Sequence, residues 1–223
     1  MNSRSKPSVD SMKKVFYEIA AYSKGRGCPV TVHTNKSKIQ GSNGYFSQDP
    51  EPHIQIALKG KVWGKSIEIL IHEYCHYWQW KENFMNRKDD EGNLIYSHIL
   101  DGKGISPKKR EKARALIQLS EYDCEIRAAS LFDKWNLESV FPPEEHIKSA
   151  NTYNRHIAWS IGSKDTKGSG VFMATYDRVA PQLWGETKFT HFWDPNSAEG
   201  QERIIAPISD SHKKSFDKAR KKS

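Results

Sequence analysis

Leu70-Ile71-His72-Glu73-Tyr74-Cys75-His76-Tyr77-Trp78-Gln79 decides how the rest of this 223-residue chain is read. It contains the pattern H-E-x-x-H over residues 72–76. On a helix of about 3.6 residues per turn, positions i and i+4 share a face, so the imidazoles of His72 and His76 can meet one metal ion with Glu73 beside it. With His72 at zero and steps of about 100° per residue, His76 falls near 40°, with Glu68, Cys75, Gln79 and Asn83 within about 60°. Leu70, Tyr74, Tyr77 and Trp78 fall on the far side. A helix over 65–83 therefore carries a mostly polar histidine face and an apolar back that can be buried. Structural histidines belong more often on the apolar side, so this arrangement favours ligation over core packing.

Two imidazoles need a third ligand, and the stretch 108–135 offers one. It follows Ser106-Pro107, a cap and first-turn proline, and reads as a second long helix. With Glu121 at zero, Ile117, Glu125, Ala128, Phe132 and Trp135 lie within about 40°, and Cys124 at about 60°. Two carboxylates thus sit in an apolar stripe, and a buried carboxylate needs a cation, a donor or a proton. A zinc ion on His72 and His76 answers that need for one. The other can accept the proton on the far nitrogen of a ligating histidine and so fix its tautomer. The alternative is a buried salt bridge to a Lys or Arg of another segment. Asp123 points about 200° away and reads as solvated. The chain between His76 and Glu121 is long enough for a loop to reverse and return the second helix beside the first.

Carboxylates four apart after an H-E-x-x-H helix resemble the E-x-x-x-D/E arrangement of the gluzincins, the thermolysin-like zincins. The resemblance implies that Glu121 binds the metal and Glu125 orients a histidine, with the reverse order as the alternative. Residues 70–79, Glu121-Tyr-Asp-Cys-Glu125 and Ala150-Asn-Thr-Tyr153 are similar to a group of metallopeptidase-like proteins of bacteriophages and some bacteria. This likeness spans roughly 54–160. It implies a phage or bacterial origin and a place in the host cytoplasm or on the virion.

Three protein ligands leave a fourth zinc position for water, the pattern of a catalytic site. Zinc lowers the pKa of such a water to about 7. Glu73 is then the expected general base, passing the proton to the leaving amine. A helix over 144–161 offers Tyr153 and His156 as donors to the oxyanion, with Tyr153 preferred. Cys75 and Cys124 lie at the margins of the metal-facing stripes. They read as small buried hydrophobes, with ligation as the alternative.

The remaining chain frames this site as one mainly helical α+β domain with a short sheet. A helix over 9–23 precedes strands over 29–33 and 53–58, and 41–44 reads as turn material. The strand 53–58 either borders the cleft and adds a substrate strand to its edge or is an ordinary sheet strand. The polar stretch 87–107 reads as a surface loop whose acidic run lacks EF-hand spacing. The zincin-like domain is placed at 1–161 and a C-terminal extension at 162–223, entered through a Gly- and Ser-containing connection over 162–170. The aromatic residues of that extension read as packing on the same domain, with a lid or a partner surface as alternatives.

Composition closes off several classes. No stretch approaches the roughly 20 apolar residues of a membrane span. Three cysteines, Cys28, Cys75 and Cys124, form no disulfide framework and suit an intracellular protein with reduced thiols. A formal charge of +8 is concentrated partly in a basic tail, Lys213 to Lys222, which reads as a solvated end. A nucleic-acid partner rests on charge alone, without a recognised binding module. The expected activity is zinc-dependent peptide hydrolysis on a protein or peptide substrate. The competing reading is a non-enzymatic phage structural or host-interaction protein on the same fold, and the intact Glu73 argues against it.

Overall fold

The computed structural model describes residues 7–39, 42–84, 94–95, 98, 105–162 and 191–205. Among them are α1 (Val9–Gly25), β1 (Val30–His33), β2 (Gly44–Ser47), β3 (His53–Ala57), α2 (Trp63–Lys81), α3 (Pro107–Lys134), α4 (Pro143–Gly162) and α5 (Ala198–Ile205). The protein is α+β and mainly helical, as the sequence predicts. Of the segments singled out above, the acidic run 89–93, the basic tail and all of the connection 162–170 except Gly162 lie outside the described residues, as do Phe172, Tyr176, Trp184 and Phe189. No described helix is long and apolar enough to cross a membrane.

The chain forms two compact units, Met1–Phe84 with Cys124–Pro143, and Met85–Asp123 with Glu144–Ser223. Their grouping interleaves the chain, whereas the sequence reading divides it at residue 161, and α3 passes from the second unit into the first at Cys124.

In the first unit, Ser8 caps α1 by accepting from the Ser11 N–H at 3.1 Å. Met12, Phe16, Ile19 and Ser23 recur at helical spacing and are buried. The helix stops where Gly27 adopts φ 97°, a left-handed conformation that glycine takes without Cβ strain. The Ser23 hydroxyl then donates to the Cys28 carbonyl at 2.6 Å and turns the chain toward β1.

The sheet has the order β1-β3-β2, with β1 parallel and β2 antiparallel to β3. This resolves the two roles open to the strand at 53–58. β3 is the central strand with both edges paired, so it cannot accept a substrate strand. Its Ile54 and Ile56 are fully buried against the core while Gln55 bonds His33 across β1 at 2.8 Å. β2 was not expected from sequence, which treats 41–44 as a turn. Ile67, Leu70 and Ile71 of α2 join Phe16, Ile54 and Ile56 in one core with Cys124, Ala128, Leu131 and Phe132 of α3. Each large side chain fully withdrawn from water contributes about 1.5–3 kcal/mol. The apolar back predicted for the H-E-x-x-H helix is thus what fastens it.

Cys28 is fully buried in this core, and burial pushes its thiol from 9.0 up to about 11 against a smaller lowering by Ser23. The folded value is raised, so the native state favours the neutral thiol. That stability is complete below about pH 9 and is lost as pH climbs to about 11, a change of about 2–3 kcal/mol. Denaturant unfolding at pH 8 and 10.5 should show a steeper loss for the wild type than for Cys28→Ala. Equal pH dependence of the two would contradict the burial effect.

In the second unit, Ala113 and Ile117 of α3 pack with Ile95 and Ile157, flanked by Ile105 and Tyr153. The Ser106 hydroxyl accepts from the Lys109 N–H at 3.4 Å, a weak bond at the expected cap. Asn151 ties down 191–193: its amide donates to the His191 carbonyl and its oxygen accepts from the Trp193 N–H, both at 3.0 Å. Trp193 is buried with Ala158 and Ile204. Residues 191–205, the described part of the extension, therefore pack on α4.

Candidate metal centre

His72 and His76 stand one turn apart on α2 and turn their Nε2 atoms toward each other at 3.1 Å. Each ring's other nitrogen faces an oxygen. His72 Nδ1–H donates to Glu125 Oε1 at 3.1 Å, and His76 Nδ1–H donates to Gln79 Oε1 at 3.0 Å. A carboxylate and an amide oxygen are acceptors, so both protons belong on Nδ1. The two neutral rings are left with their Nε2 lone pairs pointed into one space.

Lone pairs at that separation repel unless a metal cation or a ring proton lies between them. Two nitrogens about 2.1 Å from a tetrahedral zinc would sit about 3.4 Å apart, within a few tenths of an ångström of the observed spacing. The rings therefore fit zinc without rebuilding. Burial holds the His76 pKa below its ordinary value, and any protonation of His72 beside it lowers it further, which keeps His76 neutral. The side chains of His72 and Glu125 are 24% and 14% exposed, so an ion can reach the pair from solvent while Glu125 stays largely enclosed.

Glu73 lies between the two histidines in sequence and is held by the sheet. Its Oε2 accepts from the backbone N–H of Phe46 at 2.9 Å. In the β2–β3 register, Tyr45 opposes Gln55 and Phe46 opposes Ile54, while the Ala57 N–H bonds the Asn43 carbonyl. Alternation along an antiparallel ladder then turns the Phe46 N–H away from β3 and toward α2. β2 thus positions Glu73 through a main-chain donor.

Glu125 faces the His72 Nδ1 rather than its Nε2. Glu121 lies one turn earlier on α3 and shares that helical face, on the second-unit side of Cys124. Tyr153 belongs to the second unit, where its ring flanks the cluster containing Ile117 and Ile157. His156, the other oxyanion candidate, is fully buried in the same unit.

Cys75 is fully buried among the apolar residues of the first core, as its hydrophobe reading predicts. Cys124 is equally buried, yet its sulfur joins His72 and His76 in a group whose donor atoms lie within 4.8 Å of one another. That sulfur lies 3.3 Å from the His72 carbonyl oxygen and 3.6 Å from His72 Nδ1. The thiol therefore backs the ring on its Glu125 side.

Two contributors escaped the sequence reading. Gln79 is 1% exposed and bonds His76, and its only sequence signal is a place one turn beyond that histidine on the polar face. The Phe46 N–H carries no residue-type signal at all. No family model, curated protein or solved structure matches the chain, and the reading of the centre rests on its own residues.

Proposed function

We propose that this protein is a zinc-dependent peptidase in which His72, His76 and Glu121 hold the ion. Glu125 orients His72, and Glu73 is the general base. The observation that carries the reading is the pair of Nε2 atoms at 3.1 Å, on rings whose Nδ1 atoms each face an oxygen. Zinc bound there would supply a Lewis acid and lower the pKa of a bound water to about 7. Glu73 has one oxygen fixed by Phe46 and the other available to take a proton from the attacking water and deliver it to the leaving amine. In this reading the Tyr153 hydroxyl is the candidate oxyanion donor.

The test is hydrolysis of a proteome-derived peptide pool by the zinc-loaded chain, before and after chelation. The proposal expects cleavage that chelator abolishes and zinc restores. Absence of cleavage at full zinc occupancy would favour the structural reading, with the ion serving stability alone.

The order of the carboxylates has its own expected outcome. Loss of an orienting partner costs about 10–100-fold in metal affinity, and loss of a ligand costs more. Glu121→Ala should therefore weaken zinc binding further than Glu125→Ala in a chelator competition. The opposite ranking would exchange their roles.

A further inference from the structure

On the side of α2 away from its histidine face, a cavity of about 610 Å³ opens within the first unit. Tyr22, Tyr77 and Trp78 wall it, and Arg26, Lys81 and Lys134 fringe it. The three cations come from three elements: Arg26 caps α1, and Lys81 and Lys134 lie in the last turns of α2 and α3. Among the described residues none of the three has a carboxylate partner.

Aromatic faces hold them instead. Lys134 Nζ lies 4.0 Å from the Tyr22 ring centre and donates to the Tyr22 hydroxyl at 2.9 Å. The Arg26 guanidinium is 5.2 Å from that ring, and Lys81 Nζ is 5.6 Å from the ring of Tyr77. A ring quadrupole positions a cation without neutralising it. The half-charges of the three helix C-termini offset part of the positive charge, and the field that remains is still positive. Glu82 at the rim is already bound by Arg127 at 2.8 Å and by the Trp78 indole N–H at 2.5 Å, and those bonds hold its carboxyl below the usual range. The hydrogen bond from Lys134, ahead of the charges of Lys134 and Arg26, likewise holds the Tyr22 phenol below its ordinary value.

We propose that this cavity binds a phosphorylated small molecule carrying a planar ring, of nucleoside monophosphate size. Lys134 and Arg26 both lie over the Tyr22 ring, so a phosphate dianion there can use two cations together with the Tyr22 hydroxyl, and its three oxygens accept from more directions than the two of a carboxylate. The volume falls in the range of small-molecule sites and exceeds what phosphate alone would fill. The aromatic walls accept a ring. This site is independent of the metal centre and goes beyond the peptidase reading.

Calorimetry on the full chain with adenosine 5′-monophosphate, adenosine and inorganic phosphate tests it, with and without zinc so that failure of either reading is seen separately. The monophosphate should bind, adenosine should bind at least about tenfold more weakly, and Arg26→Ala or Lys134→Met should each weaken the monophosphate about tenfold. Both side chains are exposed, and Arg26→Ala keeps the carbonyl that Tyr77 and Lys81 bond. Lys81→Met is a third variant should either melt early. Absence of binding at millimolar monophosphate, adenosine binding as tightly, or indifference to the substitutions would overturn the site. Binding of a 5′-phosphorylated oligonucleotide without binding of the monophosphate would overturn the small-molecule assignment.

Discussion

Glu73→Gln should lower peptide hydrolysis by at least about a hundredfold while leaving bound zinc unchanged, because a positioned general base contributes roughly 10²–10⁴ to rate. The substitution preserves shape. A glutamine carbonyl can still accept the Phe46 N–H that the carboxylate accepts at 2.9 Å, so the contact between β2 and α2 survives. What disappears is the capacity to take and return a proton. Metal content should not move, since Glu73 is not among the proposed ligands. Comparing kcat/KM, zinc stoichiometry and melting of the two proteins checks all three statements. Hydrolysis that survives the substitution would remove Glu73 from the chemistry.

Gly44→Ala should damage both stability and activity from outside the metal centre. A Cβ at Gly44 would stand 2.7 Å from Ile69 Cγ2, 2.8 Å from Ile56 Cδ1 and 2.9 Å from the Gln55 carbonyl oxygen. The two isoleucine ends can rotate in part, but the Gln55 oxygen is backbone of the central strand. β2 must therefore shift, at a cost of about 1–3 kcal/mol for an overpacked site. For a chain of this size that lowers Tm by roughly 2–10 °C. Phe46 lies two residues further along the same strand, so the bond that fixes Glu73 lengthens with the shift. Zinc should still bind, while kcat falls. Unchanged melting and unchanged kcat together would contradict the close approach of β2 to α2.

The parts of the fold that were legible in the sequence are those with a long apolar period. Leu70, Tyr74 and Tyr77 recur on one side of α2, and Cys124, Ala128 and Phe132 on one side of α3; these positions are buried. That the two carboxylates of α3 need partners was legible for the same reason, because an acidic residue within an apolar stripe needs one, but the stripe does not say which of Glu121 and Glu125 faces His72; the structure sets Glu125 against its Nδ1. The sheet was not. Gly44-Tyr-Phe-Ser47 follows turn-forming residues, and its burial shows no alternation, so the strand exists through its pairing with β3. Whether β3 is central or at an edge is equally absent from His53-Ile-Gln-Ile-Ala57, since Ile54 and Ile56 would alternate in either place. The support of Glu73 by Phe46 was invisible because every non-proline residue carries the same backbone donor. Asn151 binds the backbone of 191–193, a partner 40 residues away for its link to His191, which no local pattern encodes.

Zinc binding by the purified chain tests the central claim most directly, measured as metal content and by chelator competition for the wild type and His76→Ala. Two neutral imidazoles with converging Nε2 lone pairs predict one tightly held zinc per chain and its loss on His76→Ala. A chain that takes up no zinc, or that holds it equally well without His76, would contradict the account.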